Sequence, residues 1–153
     1  MVFAARTKAD GDVVTFLLPL GSQRSTELQV KEVEAVGGRA FEIRSGERTD
    51  FVTLRDRQSR RVESVRLAST FAWTWTRFST TNAELPEELV LIDGDSLELD
   101  GKQILNSTKM VNYLVANRVG SKFRLETPDG RIDFALPITN LETLFAETTR
   151  SAR

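Results

Sequence analysis

Glycine-centred turn signals recur along this chain too often to leave room for long helices. Asp10-Gly11, Gly37-Gly38, Ser45-Gly46, Asp93-Gly94, Asp100-Gly101, Gly120-Ser121 and Asp129-Gly130 each supply a residue that tolerates the positive φ of a tight hairpin. Between them lie short runs rich in Val, Ile, Leu, Phe and Thr, several alternating as half-buried strands do. In Arg39–Ser45, Phe41 and Ile43 oppose Ala40, Glu42 and Arg44; in Lys122–Glu126, Phe123 and Leu125 oppose Lys122, Arg124 and Glu126. The pattern predicts strands over Asp12–Leu20, Leu28–Glu34, Arg39–Ser45, Asp50–Arg55, Val62–Leu67, Thr70–Phe78, Glu88–Ile92, Ser96–Leu99, Lys109–Asn117, Lys122–Glu126 and Arg131–Leu136. Leu141–Thr148 reads as a helix, with Asn140 as its N-cap and Leu141, Leu144 and Phe145 as its apolar stripe. The expected fold is all-β: an antiparallel β-sandwich of roughly ten to twelve short strands with a short C-terminal helix.

At 153 residues the chain suffices for one β-sandwich domain over residues 1–153, either whole or as a fragment of a larger protein. Ser79–Glu87, polar and carrying Pro86, is the clearest internal loop, and no composition shift marks a second domain. The chain has no histidine and no cysteine. No Ser-His-Asp or Cys-His device and no ordinary zinc site can then be assembled, so neither self-sufficient catalysis nor a cofactor or metal is expected. Twenty-one basic against 22 acidic residues, net charge −1, offer none of the basic excess that nucleic-acid binding needs. The longest apolar stretch, Val13–Leu20, is too short to span a bilayer as a helix, so no membrane partner is expected.

The sharpest local feature is Thr70–Phe78. On a strand of period two, Phe71, Trp73, Trp75 and Arg77 share one face, with Ala72, Thr74, Thr76 and Phe78 opposite. Two readings follow. The aromatics fill the core while the threonines meet solvent, or the indoles form a saccharide-stacking platform with Arg77 as carboxylate partner. Arg55, Arg57, Arg60 and Arg61 crowd one loop, either to grip an anionic polymer or as an ordinary solvated turn; Arg55 and Arg57 join the candidate saccharide set. Asp93, Asp95, Glu98 and Asp100 lack the spacing of a calcium loop and read as turn residues. Tyr113, the lone tyrosine, alternates with Val111 and Val115 and reads as packed.

The run Val14-Thr15-Phe16-Leu17-Leu18-Pro19, the Gly46–Val52 hairpin with Asp50, then Leu89–Gly94 and Leu97–Gly101 together resemble the C-terminal β-sandwich region of heparinase II/III-like polysaccharide lyases over residues 10 to 105. The resemblance implies an accessory domain beside a helical catalytic domain that holds most of an acidic-polysaccharide cleft, and a periplasmic or secreted location. In that family tyrosine and histidine usually carry the proton transfers, and with no histidine here no catalytic residue carries over. The expected role is a non-catalytic accessory domain packing on a catalytic domain and contacting saccharide. The alternative is a structural or protein-interaction β module that pairs through sheet edges or an apolar face, without glycan binding. An enzyme using only carboxylates is a third reading, since glycoside hydrolysis needs just two acids.

Overall fold

Branched and aromatic residues at alternate positions, punctuated by glycine, build strands throughout the described part of the chain. The computed structural model describes residues 2–6, 13–17, 28–79, 84–119, 122–127 and 130–135. Thirteen strands occupy them: β1 Val2–Arg6, β2 Val13–Leu17, β3 Leu28–Val33, β4 Ala35–Val36, β5 Gly38–Ser45, β6 Arg48–Arg55, β7 Val62–Ser64, β8 Leu67–Ser69, β9 Trp73–Ser79, β10 Glu88–Leu99, β11 Lys102–Val119, β12 Lys122–Thr127 and β13 Gly130–Ala135. β1 and β2 pair with each other, Val2 opposite Leu17. The other eleven form one antiparallel sheet whose main path runs β13-β12-β11-β10-β9-β6-β5-β3. β3 ends that path and presents Lys31 and Glu32, charges that discourage a further strand from adding there.

The sheet bends back until it is nearly closed because β10 has two neighbours along one edge. Glu88–Ile92 pairs with β9, and Leu97–Leu99 pairs with β8. β8 pairs with β7, and β7 with β4, which follows β3 in the chain. The switch point is a bulge: the register against β11 jumps from Gly94–Val111 to Ser96–Asn106. Asp93 takes φ 54 there, and Phe71, fully buried, lies against Gly94. A Cβ on Gly94 would come within 2.4 Å of the Phe71 Cα and 2.5 Å of its nitrogen. Thr70 serves the bulge's backbone, its Oγ1 accepting from the amides of Asp95 at 3.0 Å and Ser96 at 2.8 Å while donating to the Asp95 carboxylate at 2.7 Å.

Directly paired residues of an antiparallel sheet share a face, so register sorts the side chains. The inner face buries Phe78, Leu89, Leu91, Leu114, Ala116, Phe123 and Leu125 beneath Leu67, Phe71, Leu97, Leu99, Ile104 and Leu105. Thr74 and Thr76 also point inward and are fully buried. Ser69 and Thr74 share a hydrogen bond of 2.9 Å, the Ser69 hydroxyl accepts the Phe71 amide at 3.1 Å, and Thr76 donates to the Phe51 carbonyl at 3.4 Å. Thr53, paired with Thr74 in register, is 1% exposed, and its hydroxyl meets no hydrogen-bond partner among the described residues.

The all-β antiparallel expectation holds, with corrections at the turns. Asp100-Gly101 is the expected two-residue hairpin, φ 49 and 74, the signature of a type I′ turn. Asp93-Gly94 is no turn: Glu88–Ile92 and Ser96–Leu99 are one bent strand, because Phe71 claims the space a side chain at 94 would fill. Val62–Leu67 divides into β7 and β8, β11 begins at Lys102 instead of Lys109, and the strands Val2–Arg6 and Ala35–Val36 were not anticipated. The expected helix Leu141–Thr148 and the turns Asp10-Gly11 and Gly120-Ser121 lie outside the described residues.

Two substitutions test this packing. Gly94→Ala forces its methyl into the Phe71 backbone and should cost about 2 kcal/mol, seen as a lower urea midpoint at unchanged slope. Thr53→Val removes an unsatisfied buried hydroxyl at nearly constant shape and should stabilise by about 1 kcal/mol. A loss on Thr53→Val would mean that a water molecule holds that hydroxyl.

Candidate functional site

Register places two cross-sheet rows side by side on the outer face. One runs Arg39–Leu54–Trp73–Ile92–Tyr113, the next Phe41–Val52–Trp75–Val90–Val115. Phe41, Ile43 and Val52 are buried here, and Leu28, Val30, Leu54, Trp73 and Trp75 pack half-buried against them. Toward β11 the band opens: Ile92 and Val90 are half-buried, and Tyr113 is 44% exposed. Trp73, Trp75 and Arg77 do share a face, but Phe71 does not join them: it precedes β9 and is buried in the inner cluster with Phe78, while the threonines point inward and the indoles outward. Both tryptophans pack against the Phe41 cluster. Tyr113, expected to be packed, stands at the open end of the band.

A third row borders this band: Ile43–Asp50–Arg77–Glu88–Asn117. Asp50 is only 6% exposed, and Arg77 grips it with two hydrogen bonds, Nε to Oδ1 at 2.9 Å and Nη2 to Oδ2 at 3.0 Å. Arg77 Nη1 donates to Glu88 at 3.0 Å, and the Trp75 indole N–H donates to Asp50 at 3.3 Å. The Arg77 guanidinium also sits 4.6 Å from the Trp75 ring centroid, covering that ring. The Asp50 hydrogen bond raises the guanidinium above its ordinary value, with burial opposing. Asp50 and Glu88 are the partners that strand reading from sequence missed. Their pairing with Arg77 is a matter of register between strands 11 to 27 residues apart, and only Asp50 had a signal, as the aspartate closing the Gly46–Asp50 pattern. A polar hollow of about 500 Å³, lined by Glu87, Glu88, Asn117 and Arg118, opens at this border.

The arginine loop is not brought to the aromatic band. Arg55 follows Leu54 and alternates to the opposite face, where its Nη1 donates to the Ser59 carbonyl at 2.5 Å and closes its own loop. Arg57 is exposed. Arg61 reaches Glu98 with two hydrogen bonds, 3.1 and 2.7 Å. Of the acidic series, Glu98 is thus held by Arg61, Asp95 by Thr70, and Asp100 by Arg66 at 3.1 and 2.7 Å. Among the described residues no cluster of three acids is placed to hold a metal ion.

Neither protein-family models nor curated proteins match this chain.

Hydrogen bonding to Arg66 holds the Asp100 carboxyl below its ordinary value of 3.8, with burial opposing. A depressed folded-state pKa contributes stability that is complete above the unfolded value and disappears as pH falls through the folded one. The stability difference between wild type and Asp100→Asn should accordingly be constant from neutral pH down to about 5 and shrink below 3.8. Urea midpoints across that range measure it, and Asn accepts the positive φ of this hairpin position, so the turn itself is preserved.

Proposed function

We propose that this chain is a non-catalytic accessory β module that packs on a larger protein domain through the outer face of its sheet. The observation that carries this reading is the state of Arg77: its guanidinium is already engaged by Asp50 and Glu88 and stacked on Trp75. An arginine so neutralised has little left to offer a uronate. Beyond its buried Phe41, Ile43 and Val52, the band it borders is aromatic and aliphatic, half-buried, and rimmed by charges that pair internally, such as Arg39 with Glu32 at 2.9 Å. That is the anatomy of a protein interface, with an apolar centre, Trp and Tyr anchors and a polar rim. The resemblance to the lyase accessory region supports a helical catalytic domain as the partner.

Saccharide contact is the second reading, favoured by Trp73 and the exposed Tyr113 in one row, with Asn117 and Glu88 lining the polar hollow nearby. Neutral sugar rings, which need stacking and hydrogen bonds but no cation, suit that arrangement better than an acidic polymer.

The test supplies the helical domain of a heparinase II/III-like lyase in trans and follows association by sedimentation. Complex formation is expected, and Ile92→Asp with Tyr113→Asp should abolish it while leaving the monomer folded. A saturable tryptophan-fluorescence change with an acidic glycan, weakened by salt, without association would overturn the docking reading.

A further inference from the structure

The second surface of interest lies on the opposite, inner side of the sheet, at the mouth where β3, β5, β6 and β9 end beneath the β7–β8 turn. A cleft of about 520 Å³ opens there, with Lys31, Arg44, Phe51, Val65, Arg66 and Phe78 in its lining. That volume falls within the roughly 300–1,000 Å³ of small-molecule sites, and barrel mouths are a common place for them. Its floor is apolar: Phe51 and Phe78 meet edge to face with centroids 5.7 Å apart. Arg66 lies over both rings, 5.5 and 4.6 Å from their centroids, and its bonds to Asp100 keep it there. Val65, 78% exposed, forms the lip.

The charges around this floor are unequal in their commitments. Arg44 is ion-paired with Glu42, and Arg66 with Asp100. Lys31 lines the same cleft, directly opposite Glu42 in register, and no ion pair engages its ammonium among the described residues. The lining therefore combines an apolar aromatic floor, an apolar lip and one cation at the rim with a net positive balance. We infer that the mouth is a binding site for a small amphipathic carboxylate, its apolar body on Phe51, Phe78 and Val65 and its anionic end on Lys31. This site is separate from the outer face, on the other side of the sheet.

Octanoate and 1-octanol, which differ only in the charged end, are the probes. Binding is measured by calorimetry and by amide chemical shifts of the whole chain. Octanoate should bind saturably and shift the Lys31, Phe51 and Val65 amides, with octanol about tenfold weaker for want of a charge-assisted bond. Lys31→Gln should weaken octanoate by about the same factor and leave octanol unchanged. Val65→Trp, at an exposed position where folding is undisturbed, should block both. Absence of saturable binding, shifts confined to Trp73 and Tyr113 on the outer face, or an octanoate affinity indifferent to Lys31→Gln would each overturn the assignment.

Discussion

The contact between Gly94 and Phe71 governs the shape of everything around it. Because position 94 has no side chain, the Phe71 backbone can lie against β10, and β10 can bend in mid-strand without losing its pairing to β11. One half of β10 then pairs with β9 and the other with β8, which turns an open antiparallel sheet back on itself. The bulge that results would strand backbone amides, and Thr70 takes them up. Turn chemistry, bulge and buried phenylalanine thus form one unit, and the two faces of the sheet are defined by it.

Once the sheet is bent back on itself, inside and outside are fixed by register and no longer by hydrophobicity alone. Thr74 and Thr76 go inward because Phe78, two positions on, and Leu89 and Leu91 across the ladder must be buried on that side. Alternation carries the threonines with them, and their hydroxyls find Ser69 and the Phe51 carbonyl. The tryptophans are left on the outer face, where the Phe41–Ile43–Val52 cluster gives them partial cover. A half-buried indole row is the compromise between a strand that needs one face in the core and a sequence with aromatics on both.

The outer face is organised by an ion pair network more than by its aromatics. Arg77 holds a nearly buried aspartate, a glutamate and an indole ring together, and removing one member of so buried a pair is costly because the other is left unpaired. The same network satisfies the cation internally, which shifts the meaning of the surface from an anion grip toward an apolar docking band. On the inner side the logic is repeated with a different balance, since Arg66 and Arg44 are tied down while no ion pair engages Lys31 among the described residues.

The strand rhythm, the Asp100-Gly101 hairpin and the shared face of Trp73, Trp75 and Arg77 were legible from residue order because they depend on neighbours only a few positions apart. Periodicity of two and positive-φ turn residues are local physics. The bend at Asp93-Gly94 is not legible in residue order, since an Asp-Gly pair looks the same whether the chain reverses there or merely kinks against a distant phenylalanine. Which face of Thr70–Phe78 turns inward depended on what the facing strands needed to bury. Arg77 meeting Asp50 and Glu88, Arg55 falling away from the aromatic band, and Lys31 and Phe51 lining one cleft are all consequences of strand register. Register is set by the packing of the whole sheet at once, and only the tertiary structure could decide it.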